Sequence, residues 1–416
     1  MRSHPIARWA LRAVVATAVA VAGYLATTNS IATFYAPNDA QLAALFAPGN
    51  ARILAELSRQ SLQQAAQSAA DQGEAERLAR LALRRDPTAV SAVATLGLLA
   101  ELKGDLVGAR RDFSYAERLS RRDLAAELWL IEDAVRREEV PDALRHYDIA
   151  LRTQAGANEI LFPVLVNASL EPAVAQQLAK RLRLRPAWGD EFFGYLANNT
   201  SKPQVTVDLF LTLARQHVPV TEAAQSTLLA RLIGAHELEA AWRYFTTIRP
   251  GLDRTRSRDP AFTANIAVPT PFDWIPAGDA GISVTVQRGA SSGAAVFSAV
   301  PSVGGNLLQQ VQLLPPGRYR IEGISEGIDQ AKHEQPYWLL QCIADGRELG
   351  RVIVTNSAEQ NGHFGGEIEV DRNCNAQSLI LVARPSSALG GLSGMITRIE
   401  LLPLSLGFPS VDSGKK

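Results

Sequence analysis

The sequence predicts a multidomain α plus β protein: an N-terminal transmembrane helix, an α-helical solenoid, and a C-terminal antiparallel β-sandwich of the jelly-roll kind. Three observations carry that expectation. Arg2, Arg8 and Arg12 precede an uncharged apolar run from Ala13 to Ala26. From Asp71 the chain becomes rich in Ala, Leu and Arg, and matches itself when slid by 34 residues, Ala75 onto Ala109 onto Ala143. Past Phe262, Pro, Gly and β-branched residues rise, and about nine short apolar runs alternate with turn signals. A 416-residue chain that is 47% hydrophobic and 20% charged can form two or three ordinary cores and is not disordered. Lys plus Arg and Asp plus Glu are 42 each, so no net field draws the chain to nucleic acid. No basic stripe interleaves with aromatics either, and nucleic acid is not expected as a partner.

Residues 1–28 read as a cytoplasmic N-terminus and a membrane anchor. Positive charge before the apolar run holds the N-terminus in the cytoplasm and sends the remainder across. The uncharged stretch is short for a span of about 20 residues, but Trp9 to Leu11 extend it if Arg12 snorkels to the headgroups. Ser30-Ile31-Ala32 has the small-x-small form of a cleavage site, so a removed signal peptide is the alternative. The expected location is the bacterial inner membrane, single-pass with the bulk in the periplasm; cleavage would leave a protein secreted to the periplasm.

A helical linker, 29–70, leads to a helical repeat domain over 71–255. Ala82, Ala116 and Ala150 keep the 34-residue register, as do Phe113 and Tyr147, and Leu96-Gly97 with Leu130-Ile131. Small residues at helix crossings with an aromatic between them resemble tetratricopeptide repeats. In the best unit, "TLGLLAELKGDLVGARRDFSYAERLSRR", Leu96, Gly97, Ala100, Ala109, Phe113 and Ala116 fit, and Ala143, Tyr147 and Ala150 fit in the next. Arg121 stands where such repeats carry proline. Gly104-Asp105 is the expected turn between paired helices. Beyond Thr153 the period fades while helical spacing continues. Stacked pairs of this kind leave a concave surface for a protein partner; they equally serve as plain spacers.

The β-sandwich is expected over 262–405, with a disordered tail over 406–416. In "LLPPGRYRIEG" Tyr319 and Ile321 face one way and Arg318, Arg320 and Glu322 the other. "PFDWIP", "LLQQVQLLPPGRYRIEG", "YWLLQC" and "CNAQSLILVARP" resemble the C-terminal domain of tetratricopeptide-repeat proteins found in bacterial exopolysaccharide gene clusters. The same strands resemble jelly-roll carbohydrate-binding modules. The resemblance implies a role in exopolysaccharide synthesis, polymerisation or export, with a protein partner of that complex and polysaccharide as a second ligand.

Cys342 falls at period two with Trp338 and Leu340, and Cys374 opens the strand through Leu379 and Leu381. In an oxidising exported compartment these two cysteines are expected to pair across neighbouring strands.

Chemistry-bearing motifs are sparse. No phosphate-binding glycine loop stands between a strand and a helix. "AHELEA" places Ala240 where a second zinc ligand would follow His236, and the other histidines are scattered, so no metal and no cofactor are expected. Serines lack the nucleophile elbow. Carboxylates at Glu326, Asp329, Glu334, Asp345, Glu348, Glu359, Glu367 and Asp371 show no pairing that marks a glycosidase, so no catalytic residue is assigned. Sugar binding needs less: a ring face and a few polar groups. Tyr337, Phe364, His363, Gln360, Asn361 and Glu334, in the polar loops "EGIDQAKHEQPYW" and "TNSAEQNGHFGG", are the candidates, while Trp274 and Trp338 are expected in the core. The resulting expectation is a non-enzymatic, membrane-anchored periplasmic adaptor; the alternatives are a polysaccharide-modifying hydrolase or lyase, and a purely structural adaptor that meets no sugar.

Overall fold

A computed structural model describes residues 5–36, 38–64, 69–289 and 292–404. Arg2 and the expected tail over 406–416 lie outside the described residues. The chain divides into two compact units, one running to Leu165 and including Pro186–Trp188, the other comprising Val166–Arg185 and the chain from Gly189 onward.

The first unit is helical. α1 (Pro5–Tyr35) contains the apolar stretch Trp9–Tyr35, long and apolar enough to cross a membrane, and exposed along most of its length. α2 (Ala40–Phe46) and α3 (Ala51–Gln64) follow, then α4 (Ala69–Arg85), α5 (Val90–Leu102), α6 (Leu106–Leu119), α7 (Leu124–Arg136), α8 (Val140–Thr153) and the start of α9 (Ala157–Ala168). The 34-residue period is a period of helix starts: Val90 to Leu124 for α5 and α7, and Leu106 to Val140 for α6 and α8. Asp105 and Asp123 cap α6 and α7, accepting from the Gly108 and Ala126 amides at 2.8 and 2.9 Å.

The repeat residues are packing residues. Phe113 is fully buried, stacks on Trp129 at 4.6 Å, and covers Gly97, where an added Cβ would meet the Phe113 ring at 2.8 Å. Ala109, Ala116 and Ala150 are wholly buried where helices cross; Ala143 and Tyr147 are buried, and Leu96 and Ala100 partly so. The turn after α5 uses Gly104 at φ 78°, and one period later Glu138 adopts φ 59° in the same left-handed region. Asp133 is buried between Arg110, at 2.6 and 2.9 Å, and Arg137, at 3.0 Å. The Arg110 guanidinium first, then Arg137, holds the Asp133 carboxyl below the usual range.

The second unit contains α10 (Pro172–Leu182), α11 (Gly189–Asn199), α12 (Pro203–Arg215), α13 (Glu222–Gly234) and α14 (Leu238–Ile248), followed by the sandwich. Its strands are β1 (Ile275–Pro276), β2 (Ile282–Gln287), β3 (Ala294–Ala299), β4 (Gly305–Gln312), β5 (Gly317–Glu326), β6 (Tyr337–Cys342), β7 (Glu348–Ile353), β8 (His363–Val370), β9 (Gln377–Ala383) and β10 (Leu392–Pro403). They form two five-stranded antiparallel sheets, β1-β4-β9-β6-β7 and β2-β3-β10-β5-β8. Nine of these are the expected strands; β1, within "PFDWIP", is too short to show as a run.

The core lies between the sheets around Trp274, Trp338, Phe297, Tyr319 and Leu340. Alternation holds on β5, with Tyr319 and Ile321 buried and Arg318 and Arg320 exposed. α14 joins this core through Arg258, whose guanidinium lies over Phe272, Trp242 and Phe245 at 5.4, 5.9 and 6.0 Å and donates to the Phe272 and Val311 carbonyls.

Cys342 and Cys374 are bonded, 32 residues apart, both buried. Cys374 stands in the turn before β9 and not at its first residue, because β9 begins pairing only at Gln377, opposite Cys342. Reduction, or Cys342→Ser with Cys374→Ser, is expected to lower stability by about 3–4 kcal/mol on chain-entropy grounds, read as a lower urea midpoint.

Candidate functional site

The six sugar-binding candidates separate onto two parts of the sandwich. Gln360 and His363 meet on the outer face of the β2-β3-β10-β5-β8 sheet, around a basin of about 400 Å³ also lined by Arg320, Glu322 and Arg398, with Phe364 beneath it. Strand register builds it. Ile324 pairs with His363 on one side and Arg398 on the other, so the three cross the sheet in one row. In the next row Gly365 pairs with Glu322, and the missing side chain opens the floor. Arg320 donates to Glu322 at 2.8 Å, and Arg398 pairs with Glu400.

Gln360 and Asn361 are held in the turn Glu359–Gly362, with φ of 49° and 53°. Two consecutive non-glycine residues in the left-handed region are uncommon; each costs roughly 1–2 kcal/mol. Both side chains are exposed, so no packing around them accounts for the conformation. The turn is fastened below by the Ser325 hydroxyl, which donates to the Gly362 carbonyl at 3.3 Å.

Phe364 is corrected from a stacking face to a core residue. It is 6% exposed within the sandwich core, and its ring fills the space a Cβ on Gly323 would need. The reason is the strand phase: His363 begins β8 outward, which turns its neighbour inward. His363 is the exposed ring at the basin.

Glu334 and Tyr337 lie elsewhere. Glu334 is buried and tied to Ser386 at 3.1 Å; the Ser387 hydroxyl holds its carboxyl below the usual range. Gln330 and Asn356 exchange hydrogen bonds of 2.8 and 3.1 Å, and Ser386 donates to Gln330 at 2.7 Å. What reads in sequence as a free polar loop is thus fastened to two others, and Glu334 is corrected to a structural anchor. Tyr337 faces outward on the β1-β4-β9-β6-β7 sheet, flanked by Arg351 of β7 at 4.7 Å and Arg384 after β9 at 4.9 Å. Guanidinium groups of Arg351 and Arg384 thus lie over the Tyr337 ring.

Several carboxylates of the sandwich are paired with arginines. Glu348 is held low by Arg351, and Asp371 by Arg347; the Arg347 amide does the same for Asp345. In the helical unit, buried Glu127 and His146 bond at 2.7 Å, with Glu117 near both. Burial raises the Glu127 carboxyl. Arg145 reaches Glu117 and His146 Nε2, each at 2.7 Å, and supplies the positive charge that cluster calls for.

No family model matches the chain, and no curated protein matches it. Among solved structures, the enzymatically active domain of bacteriophage CBA120 tailspike protein 4 is 10% identical, with a TM-score of 0.23, covering 32% of this chain and 19% of that one. A glycosylation associate protein (Gap123) complex from Streptococcus agalactiae is 8% identical, with a TM-score of 0.22, covering 32% and 44%. The chain thus spans less than half the length of either. Likenesses this low carry no functional inference.

Arg398, which no local pattern in the sequence marks, becomes a site residue only through cross-strand register. Arg320 and Glu322 were legible as outward residues of an alternating strand, which is a signal of exposure and not of a basin.

Proposed function

We propose that the protein is a non-enzymatic, membrane-anchored periplasmic adaptor in exopolysaccharide synthesis or export, in which the helical repeats hold a protein partner and the basin on the sandwich binds polysaccharide. The observation that carries the sugar-binding part is the basin. Guanidinium, carboxylate, amide and imidazole groups converge on the sheet, and the Gln360 amide is presented by a turn in the left-handed region. The non-enzymatic part rests on the sequence, in which no carboxylate pair marks a glycosidase. The membrane and pathway assignments rest on the apolar α1 and on the sequence resemblance.

Calorimetry of the full-length protein in nanodiscs, titrated with the polysaccharide of its own cell, tests the basin. His363→Ala and Arg398→Ala are each expected to weaken binding about 3- to 10-fold, the worth of one or two hydrogen bonds. Gln360→Gly is expected to weaken binding while stabilising the fold by about 1 kcal/mol, since glycine removes the left-handed penalty. Tyr337→Ala should leave binding unchanged. Loss of binding in Tyr337→Ala alone would move the site to the other sheet, and no binding by the unmodified protein would leave an adaptor without a sugar ligand.

A further inference from the structure

We propose that α1 is retained in the mature protein and that the hairpin formed by α1 and α2 inserts Leu45 and Phe46 into the outer boundary of the same bilayer, so that the helical unit is held at two points on the membrane. The proposal rests on the membrane-anchored reading of α1 and adds a second contact with lipid.

Retention follows from packing. α1 runs unbroken through Ser30-Ile31-Ala32 to Tyr35. Ala32, the residue a peptidase would place at its cut, is fully buried and forms a small core with Ala43 of α2 and Ile53 of α3. Asn29 accepts from the Asn50 side chain. Cutting after Ala32 would remove one side of that core, so the packing of the helical unit uses the segment that a removed leader would take away.

The second contact follows from direction. With about 1.5 Å of rise per residue, Trp9 to Thr28 covers roughly 30 Å, the thickness of a hydrocarbon core. α2 runs back along α1 after the turn at Asn38-Asp39, and the α2–α3 turn ends beside Leu25 to Asn29, the two segments lining one groove. Phe46 therefore lies at the depth where the span ends. Leu45 is 79% and Phe46 40% exposed, although both are large and apolar. Their exposure is costly in water and favourable at the headgroup–acyl boundary. Arg85 donates to the Gly49 carbonyl at 2.7 Å in the same turn and brings a guanidinium to the level of the phosphates.

Because both native cysteines are bridged, a single introduced cysteine can carry a nitroxide label. Full-length Leu45→Cys, Phe46→Cys, Val19→Cys and Val107→Cys proteins, in nanodiscs of phosphatidylethanolamine and phosphatidylglycerol, would be compared by oxygen and nickel-chelate collision rates. Positions 19 and 107 are exposed references, on the span and on α6. The expected result is that labels at 45 and 46 favour oxygen over nickel, as at 19, with 107 the reverse. Nickel access at 45 and 46 equal to that at 107, with 19 still in lipid, would overturn the second contact and leave the anchor intact. A mature protein whose mass shows position 19 removed would sink the anchor and the proposal together.

Discussion

Arg258→Ala is expected to destabilise the second unit by about 3–5 kcal/mol, lowering its thermal midpoint and its cooperativity. Three costs add. Arg258 is 5% exposed, so its removal leaves a cavity among Phe272, Trp242 and Phe245. The Phe272 and Val311 carbonyls lose their donor inside the protein, at about 1–3 kcal/mol for each buried unpaired group. The cation–π contacts with three rings vanish as well. Arg258→Met refills the volume without the donors and is expected to recover part of the loss. Equal stability of Arg258→Ala and the unmodified protein would show that α14 does not need this side chain to stay on the sandwich. Arg258 has a hydrophobic burial and a charge at once, which is why its loss outweighs that of any surface ion pair.

A comparable loss, about 3–5 kcal/mol, is expected for Phe113→Ala in the first unit, because the ring is wholly buried, stacked on Trp129 and seated over Gly97. Gly97→Ala should itself cost about 1–3 kcal/mol by overpacking against that ring, despite alanine's better helix propensity. The two effects are coupled. In Phe113→Ala the added methyl at position 97 meets empty space, so the double substitution is expected to be less destabilising than the sum of the single ones. Additive losses in chemical denaturation would show that the Gly97–Phe113 contact is not what sets the helix spacing.

Much of the architecture was legible beforehand, and for identifiable reasons. The 34-residue offset survives in Ala109, Phe113, Ala116 and their counterparts because helix crossings repeat the same steric demand at the same place in each hairpin. Nine strands were readable because one face of each is buried, which leaves a period of two in the residues themselves. The disulfide followed from compartment and strand placement. α10 to α14 were visible as helices but not as part of the unit that holds the sandwich, since the contacts of Arg258 with Trp242 and Phe245 join positions with no local pattern between them.

The candidate site was less legible. Gln360, Asn361 and His363 were named from polar composition, and the structure sets Gln360 and His363 around one basin. Phe364, named as a ring face, and Glu334, named as a polar group, are buried, one by strand phase and the other by loops converging from three parts of the chain. Tyr337 is half-buried, and Arg351 and Arg384 lie over its ring.

The sequence by itself determined the order of the parts: an apolar N-terminal helix, helical hairpins at a fixed period, and a two-sheet sandwich closed by its two cysteines. Those are consequences of local periodicity, which covalent neighbours encode. Only the tertiary structure decided which polar residues share a surface, because cross-strand register places Ile324 beside both His363 and Arg398 while the chain separates them by tens of residues. It also decided that Ala32 lies in a core beside Ala43 and Ile53 and that Phe46 returns to the level of Leu25. Contacts between distant segments arise from packing, and no single stretch of sequence contains them.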